Sequence, residues 1–201
     1  MRDTAAGALS MTVGGRRDRL GLKGPRAAEW LAAHGIAVPM LPNTWMPSEA
    51  ADGADALLVA RLGSAEFFVE DAAAGTKLKR LATSGDEHPP GVYPVLREDW
   101  AIDLGGTGVH DVLAQICNVN FAALTLDSHP VIMTLMIGVA VLVIPQTVAG
   151  AAAGSGSNGG SSGNFMCRYR IWCDPTFGPY LSESLGAVVI DCGGRIMGDR
   201  G

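Results

Sequence analysis

Charge is scarce in this sequence. Only 17% of its 201 residues are Asp, Glu, Lys or Arg, with 15 basic against 20 acidic side chains and a net charge of −5. Non-specific nucleic-acid binding needs a basic face, so the composition argues against a nucleic-acid partner. The four cysteines, Cys117, Cys167, Cys173 and Cys192, include no C-x-x-C pair, which removes zinc-ribbon and thioredoxin-type readings. They read as free, mostly buried thiols in a reducing cytoplasm. The histidines, His34, His88, His110 and His129, are not spaced i, i+4 from one another or from a carboxylate, so no metal pattern emerges. Neither Gly-rich turn that precedes a helix, Lys23-Gly24-Pro25 or Gly105-Gly106-Thr107-Gly108, has the spacing of a dinucleotide fingerprint or a P-loop. No residue of this chain is therefore assigned a catalytic, cofactor-binding or metal-binding role.

Long hydrophobic runs are also missing. Residues 131–144 are apolar apart from Thr134 and Gly138 and lie between Pro130 and Pro145. A bilayer crossing needs about 20 apolar residues. The richness in Val, Ile, Thr and Met instead predicts two buried strands joined or bent near Gly138. No secretory signal is read at the N-terminus, and no membrane association is expected.

What the sequence does contain is a repeat. Arg19-Leu20-Gly21-Leu22 leads through Lys23-Gly24-Pro25 into a helical pattern marked by Ala27, Trp30, Leu31 and His34 and ended by Gly35. Pro25 suits the first helical position. Later, Trp100-Ala101-Ile102-Asp103-Leu104 leads through Gly105-Gly106-Thr107-Gly108 into a second helix with an apolar stripe of Val109, Val112, Leu113 and Ile116. Each helix is followed by β-rich sequence. The Gly-rich turns precede helix N-termini, which attract anions, but their spacing favours tight turning over phosphate binding. The expected fold is α+β, with two interlocked β-α-β halves.

The rest of the chain fits around these halves. Residues 1–17 read as a loose arm, 18–190 as the folded domain and 191–201 as a tail after Gly193-Gly194. Pro39, Pro42 and Pro47 mark an extended connection. Leu57 to Leu62 and Glu66 to Val69 form a hairpin across Gly63-Ser64-Ala65. Residues 77–82 read as a short helix. Residues 149–163 contain only Ala, Gly, Ser and one Asn, and read as a flexible hairpin tip or an engineered linker. In the strand that follows, Phe165, Cys167, Tyr169, Ile171 and Cys173 share one face, with Met166, Arg168, Arg170 and Trp172 on the other. Arg168, Arg170 and Trp172 form a candidate partner-facing patch, or the arginines form a set of cross-strand pairs; a further alternative places Trp172 in the core and the arginines in solvent. Glu183, between Ser182 and Ser184 on the last helix, is a ligand carboxylate or, more simply, a solvated surface group.

Several blocks together resemble a known family. They are Arg19 to Pro25, Leu62 to Phe68, Val92-Tyr93-Pro94-Val95, Ile116-Cys117-Asn118-Val119-Asn120-Phe121 and, most specifically, Arg168 to Leu181. This set resembles the gamma subunit of heterotetrameric sarcosine oxidase and the small subunit of N-methylglutamate dehydrogenase, relatives of the folate-binding domain of the glycine-cleavage T-protein. The resemblance implies a T-protein folate-binding-domain-like fold. It implies an accessory, non-catalytic gamma-type subunit of a flavin-dependent oxidase or dehydrogenase that demethylates N-methyl amino acids and passes the one-carbon unit to tetrahydrofolate. It also implies an alpha-like large partner, with beta and delta subunits, and FAD, FMN, NAD and tetrahydrofolate held by those partners. A self-sufficient folate-dependent aminomethyl- or methyltransferase is the alternative; a monomeric binding module is a third. The sequence departs from the family pattern at Ser182-Glu183-Ser184, where relatives place a bulky aromatic, and at Gly105-Gly106-Thr107-Gly108, which replaces a Gly-Pro turn. Residues 149–163 look inserted. These departures speak against a working folate pocket in this chain. The Lys-Gly-Cys-Tyr signature of related iron–sulfur repair proteins is absent.

Overall fold

The computed structural model describes residues 7–14, 17–48, 57–71, 88–149 and 165–198, with Leu78 and Leu81. The expected tip or linker after Ala149 lies outside the described residues, as does most of the short helix expected over 77–82, of which Leu78 and Leu81 are helical.

The chain forms two compact units. The first comprises residues 16–98 and 127–132. The second comprises 1–15, 99–126 and 133–201. In the first unit, strand β2 (Arg19–Lys23) is followed by helix α1 (Ala27–Ala33) and then by β3 (Thr44–Ser48), β4 (Leu57–Arg61) and β5 (Glu66–Asp71). A short strand β6 (Tyr93–Val95) completes a five-stranded sheet in the order β3-β4-β5-β2-β6. In the second unit, β7 (Trp100–Gly105) is followed by helix α2 (Val109–Ile116) and by β8 (Ile132–Met136), β9 (Val139–Ala149) and β10 (Phe165–Cys173). Strand β1 (Ser10–Val13), helix α3 (Gly178–Asp191) and β11 (Arg195–Met197) complete it, and its sheet runs β11-β1-β7-β10-β9-β8.

The repeat read from the sequence is therefore present, with one change of detail. After each helix the chain does not return parallel beside the strand it left. It enters three successive strands, the last of which pairs antiparallel with the opening strand, β5 with β2 and β10 with β7. The interlocking is visible along the chain. Strand β1 precedes β2 but pairs with β7, whereas β6 precedes β7 but pairs with β2.

The expected arm and tail are corrected by this exchange. Ser10–Val13 pairs antiparallel with β7 on one side and parallel with Arg195–Met197 on the other. Met11 is 1% exposed. Within these segments, Ser10–Val13 and Arg195–Met197 are strands because their backbone groups find sheet partners.

Side-chain alternation gives each sheet its packed face. Leu20 and Leu22 of β2, Val59 of β4 and Phe67 of β5 cluster with Ala27 and Leu31 of α1. Burying such a side chain contributes about 1.5–3 kcal/mol. The apolar stripe of α2 is buried as the spacing predicts. Pro25 lies in the turn before α1, with Arg26 at the cap position, so the helix starts two residues later than its proline indicates. The apolar run over 131–144 resolves into two strands, β8 and β9, as expected, but β8 lies at the sheet edge and is not buried throughout: Met133 and Leu135 are exposed. The two strands are joined at Ile137 (φ 51°) and Gly138 (φ 80°), the paired positive φ of a two-residue hairpin turn. No helix among the described residues is long and apolar enough to cross a membrane.

Candidate functional site

The two Gly-rich turns are the natural first place to look for a ligand. In both, the turn amides are taken by protein carbonyls. Arg26 N–H donates to Gly91 O (3.1 Å) and Ala27 N–H to Gly24 O (3.1 Å). Thr107 N–H donates to Gly7 O (2.8 Å) and Val109 N–H to Gly106 O (3.2 Å). Gly24 and Gly106 have φ of 119° and 105°, and a Cβ on either would collide with a backbone carbonyl, that of Gly91 or of Ala8. Backbone crossing and tight turning explain these glycines, as the spacing predicts.

The histidines are distributed among separate structural contacts. The His34 ring donates from Nδ1 to the Trp30 carbonyl (2.7 Å) and lies 4.0 Å from the Trp30 ring, at the end of α1. His88 also lies against the Trp30 ring, with centroids 5.2 Å apart. His129 stacks on Trp45 at 4.9 Å. His110, on the first turn of α2, reaches the hydroxyl of Tyr169 on β10 through Nε2, at 2.6 Å. Tyr169 is fully buried, and burial, with the neighbouring Cys167, holds its phenol protonated well above the usual tyrosine range. It hydrogen-bonds to His110 and does not ionise near neutral pH. No group of three His, Cys, Asp or Glu side chains among the described residues is arranged to hold a metal ion.

Acidic groups are engaged by arginines. Asp103 Oδ2 accepts from Arg170 Nη1 at 2.7 Å and from Arg168 Nη2 at 2.8 Å. Arg170 also lies over the Trp172 ring at 5.4 Å. In the other unit, Glu70 Oε2 accepts from Arg19 Nε at 2.7 Å, across the β2–β5 pair. Each unit thus carries a buried cross-strand ion pair, with the signs exchanged between the opening strand and its neighbour. Glu66 binds Lys23 at 3.3 Å and Arg97 at 3.2 Å.

These contacts revise the proposed interface patch on β10. Arg170 and Trp172 are 2% and 1% exposed, so they belong to the interior. Only Arg168 of the three reaches solvent. Trp172 follows the reading that places it in the core, and Arg170 follows the cross-strand-pair reading: it is buried against Asp103 on β7. Alternation gives a strand two faces, and here both are covered. Cys173 shares the interior, whereas Cys167 is half-buried. Glu183 is exposed on α3, and its neighbour Ser182 accepts from Trp100 Nε1 at 2.9 Å.

The most specific sequence block builds the junction between β10 and α3. The Asp174 side chain caps the turn, accepting from Thr176 N–H at 2.8 Å and from the Thr176 hydroxyl at 2.5 Å. These bonds, the side-chain one foremost, hold its carboxyl below the usual range. Gly178 is required because the Trp100 ring lies where its Cβ would be. Just before this cap, burial, aided by Asp174 and then Asp99, pushes the Cys173 thiol up to about 11 from its ordinary 9.0. The thiol is thus protonated at neutral pH in the folded chain. Above pH 9.0 the unfolded chain loses this proton first, so the thiol's contribution destabilises the fold progressively until about pH 11. Native protein treated with iodoacetamide at pH 8 should leave Cys173 unmodified, with peptide mass spectrometry showing alkylation only after unfolding.

The sequence reading missed Asp103, Glu70, and the His110–Tyr169 pair. A charged residue alternating with Ile102 and Leu104 on a strand was the available signal for Asp103. Its partner becomes identifiable only from the strand register, which sets Asp103 opposite Arg170.

The described geometry defines a two-unit, T-protein-like α+β fold. It is similar to the glycine cleavage system aminomethyltransferase T from Bartonella henselae, with a TM-score of 0.65 and 15% identity over 97% of this chain. The match takes in 48% of that chain, so the present chain spans about half the aminomethyltransferase. It is similar also to a chain of heterotetrameric sarcosine oxidase from Corynebacterium sp. U-96, in complex with pyrrole 2-carboxylate, with a TM-score of 0.64 and 17% identity. That match covers 94% of this chain and 88% of the other. No protein-family model matches the chain, and no curated protein sequence matches it.

Proposed function

We propose that this chain is an accessory, non-catalytic gamma-type subunit of a heterotetrameric, flavin-dependent N-methyl amino acid oxidase or dehydrogenase of the sarcosine oxidase kind. The observation that carries the reading is the extent of the fold overlap. It runs over 94% of this chain and 88% of a sarcosine oxidase chain, against 48% of the aminomethyltransferase. The use of polar groups supports it too. Asp103 and Glu70 are held by arginines across strands, and the turn amides are bonded to carbonyls. Such groups stiffen a scaffold.

In this reading the alpha-like large subunit and the beta and delta subunits hold FAD, FMN, NAD and tetrahydrofolate, and the assembly works in the cytoplasm. There the flavin would accept the hydride from the N-methyl group, and tetrahydrofolate would take the one-carbon unit of the resulting imine. This chain contributes binding surface and rigidity to the assembly. The test is a pull-down through a tag on this chain after co-expression with the large, beta and delta chains. The large chain should be recovered with visible flavin absorbance, whereas the purified chain alone should carry no flavin and oxidise no sarcosine. Sarcosine oxidation by the isolated chain, or failure to recover the large chain, overturns the proposal.

The overlap with the aminomethyltransferase over 97% of this chain favours a second reading, a self-sufficient folate-dependent aminomethyl- or methyltransferase. Calorimetric titration of the isolated chain with tetrahydrofolate separates the two. Saturable binding with turnover of a methylamine donor supports the transferase, and no heat of binding supports the subunit.

A further inference from the structure

Tyr169 on β10 has one hydroxyl proton and two partners for it. His110 Nε2 lies 2.6 Å from the hydroxyl oxygen, and the Cys167 side chain hydrogen-bonds to the same hydroxyl. Cys167 and Tyr169 are two residues apart on a strand and so share a face. His110 comes from the first turn of α2. The two elements meet here because Gly106 N–H, in the turn that opens α2, donates to Cys167 O at 3.4 Å. The phenol ring is fully buried and makes edge-on contacts with His110 and Phe121, at centroid distances of 5.9 Å and 5.3 Å.

One proton serves one acceptor at a time, so this row of three groups has two arrangements. In the first, the Cys167 thiol donates to the phenol oxygen and the phenol donates to His110 Nε2. In the second, His110 Nε2–H donates to the phenol oxygen and the phenol donates to the Cys167 sulfur. Moving both protons one step along the existing bonds converts the first into the second. The products are a thiolate and an imidazolium, and Tyr169 is neutral before and after. That suits a phenol which burial keeps protonated. Imidazole is the side chain that gains a proton most readily near neutral pH, and the thiolate is the nucleophilic form of cysteine.

The other three thiols are engaged differently. Cys117 is buried, and its sulfur accepts from Val119 N–H at 3.4 Å. Cys173 is buried and held protonated. Cys192 is half-buried like Cys167, but its sulfur accepts from Gln115 Nε2 at 3.2 Å, and an amide takes up no proton.

We propose that Cys167, Tyr169 and His110 form a thiol oxidation site, in which Tyr169 relays the Cys167 proton to His110 and the thiolate reduces hydrogen peroxide. The Cys167 sulfur attacks one peroxide oxygen, so an S–O bond forms as the O–O bond breaks. The departing hydroxide leaves as water, with the proton that His110 returns through Tyr169. Cys167 is oxidised by two electrons to the sulfenic acid, and the peroxide is reduced. The same row thus activates the nucleophile and supplies the proton its leaving group needs, and a small neutral oxidant suits a half-buried sulfur. The inference concerns this chain alone and stands or falls independently of the subunit reading.

The experiment exposes the native chain to hydrogen peroxide at pH 7, traps sulfenic acid with dimedone and reads each cysteine by peptide mass spectrometry. Cys167 should be labelled about tenfold faster than Cys192 or more, since the two are comparably accessible and differ in the base. His110→Gln can still hydrogen-bond to Tyr169 but cannot accept the proton. It should bring Cys167 down to the rate of Cys192 and leave Cys192 unchanged, with circular dichroism confirming the fold. Tyr169→Phe, which breaks the row in the middle, should do the same. Labelling of Cys167 no faster than Cys192 in the unaltered chain overturns the site, and that comparison needs no variant to fold. An unchanged Cys167 rate in folded His110→Gln overturns the relay.

Discussion

Replacing Asp103 with Ala should destabilise the chain by about 3–5 kcal/mol, the range for removing one partner of a buried ion pair. Asp103 serves two arginines through one oxygen, and Arg170 is 2% exposed. Water does not readily replace the lost carboxylate at such a site, so the guanidinium keeps its desolvation cost and loses the compensation that Asp103 supplies. Arg168 is 43% exposed and is re-solvated, so Arg168→Ala should cost no more than about 1 kcal/mol. The double change Asp103→Leu with Arg170→Met should recover much of the loss, since apolar replacement of a buried pair is often neutral. Urea unfolding followed by tryptophan fluorescence measures all of these, with Trp172 against Arg170 as a local reporter. A cost below about 1 kcal/mol for Asp103→Ala would show that the pair does not anchor the β7–β10 ladder.

Gly106→Ala should be nearly as damaging, by about 2–5 kcal/mol. A residue with a side chain costs about 1–2 kcal/mol in a left-handed conformation, and forcing an atom into packed backbone adds about 1–3 kcal/mol. The φ of 105° invokes the first cost and the Ala8 carbonyl the second. Gly24→Ala should behave alike, with its φ of 119° and the Gly91 carbonyl. The control is Gly138→Ala. Gly138 has a φ of 80° but nothing within 4 Å of a Cβ, so only the conformational cost applies and the loss should stay near 1–2 kcal/mol. Thermal and urea unfolding of the three variants separate strain from collision. Equal losses at all three positions would mean that the carbonyl approaches at Gly24 and Gly106 relax freely, and that the two turns do not pin the chain crossings.

Local chemistry determined much of this protein from sequence alone. Val109, Val112, Leu113 and Ile116 recur at helical spacing and are buried on α2. Gly63-Ser64-Ala65 and Ile137-Gly138 join consecutive strands, because the turn residues needed there are encoded at the turns themselves. The absence of a phosphate fingerprint at Gly24 and Gly106 was legible for the same reason. What the tertiary structure decided was every feature that depends on which strands are neighbours. Nothing within residues 10–13 states that they pair with β7 and β11, and nothing within residues 195–197 states that they are a strand; both follow from non-local hydrogen bonding. Strand alternation placed Arg168, Arg170 and Trp172 on one face, but it cannot say whether that face meets water, and the structure buries two of the three. The register set Asp103 opposite Arg170 and thereby decided between a docking patch and cross-strand pairs in favour of an internal ion pair. A strand's period comes from its own backbone, whereas its burial and its partners come from segments far away in sequence.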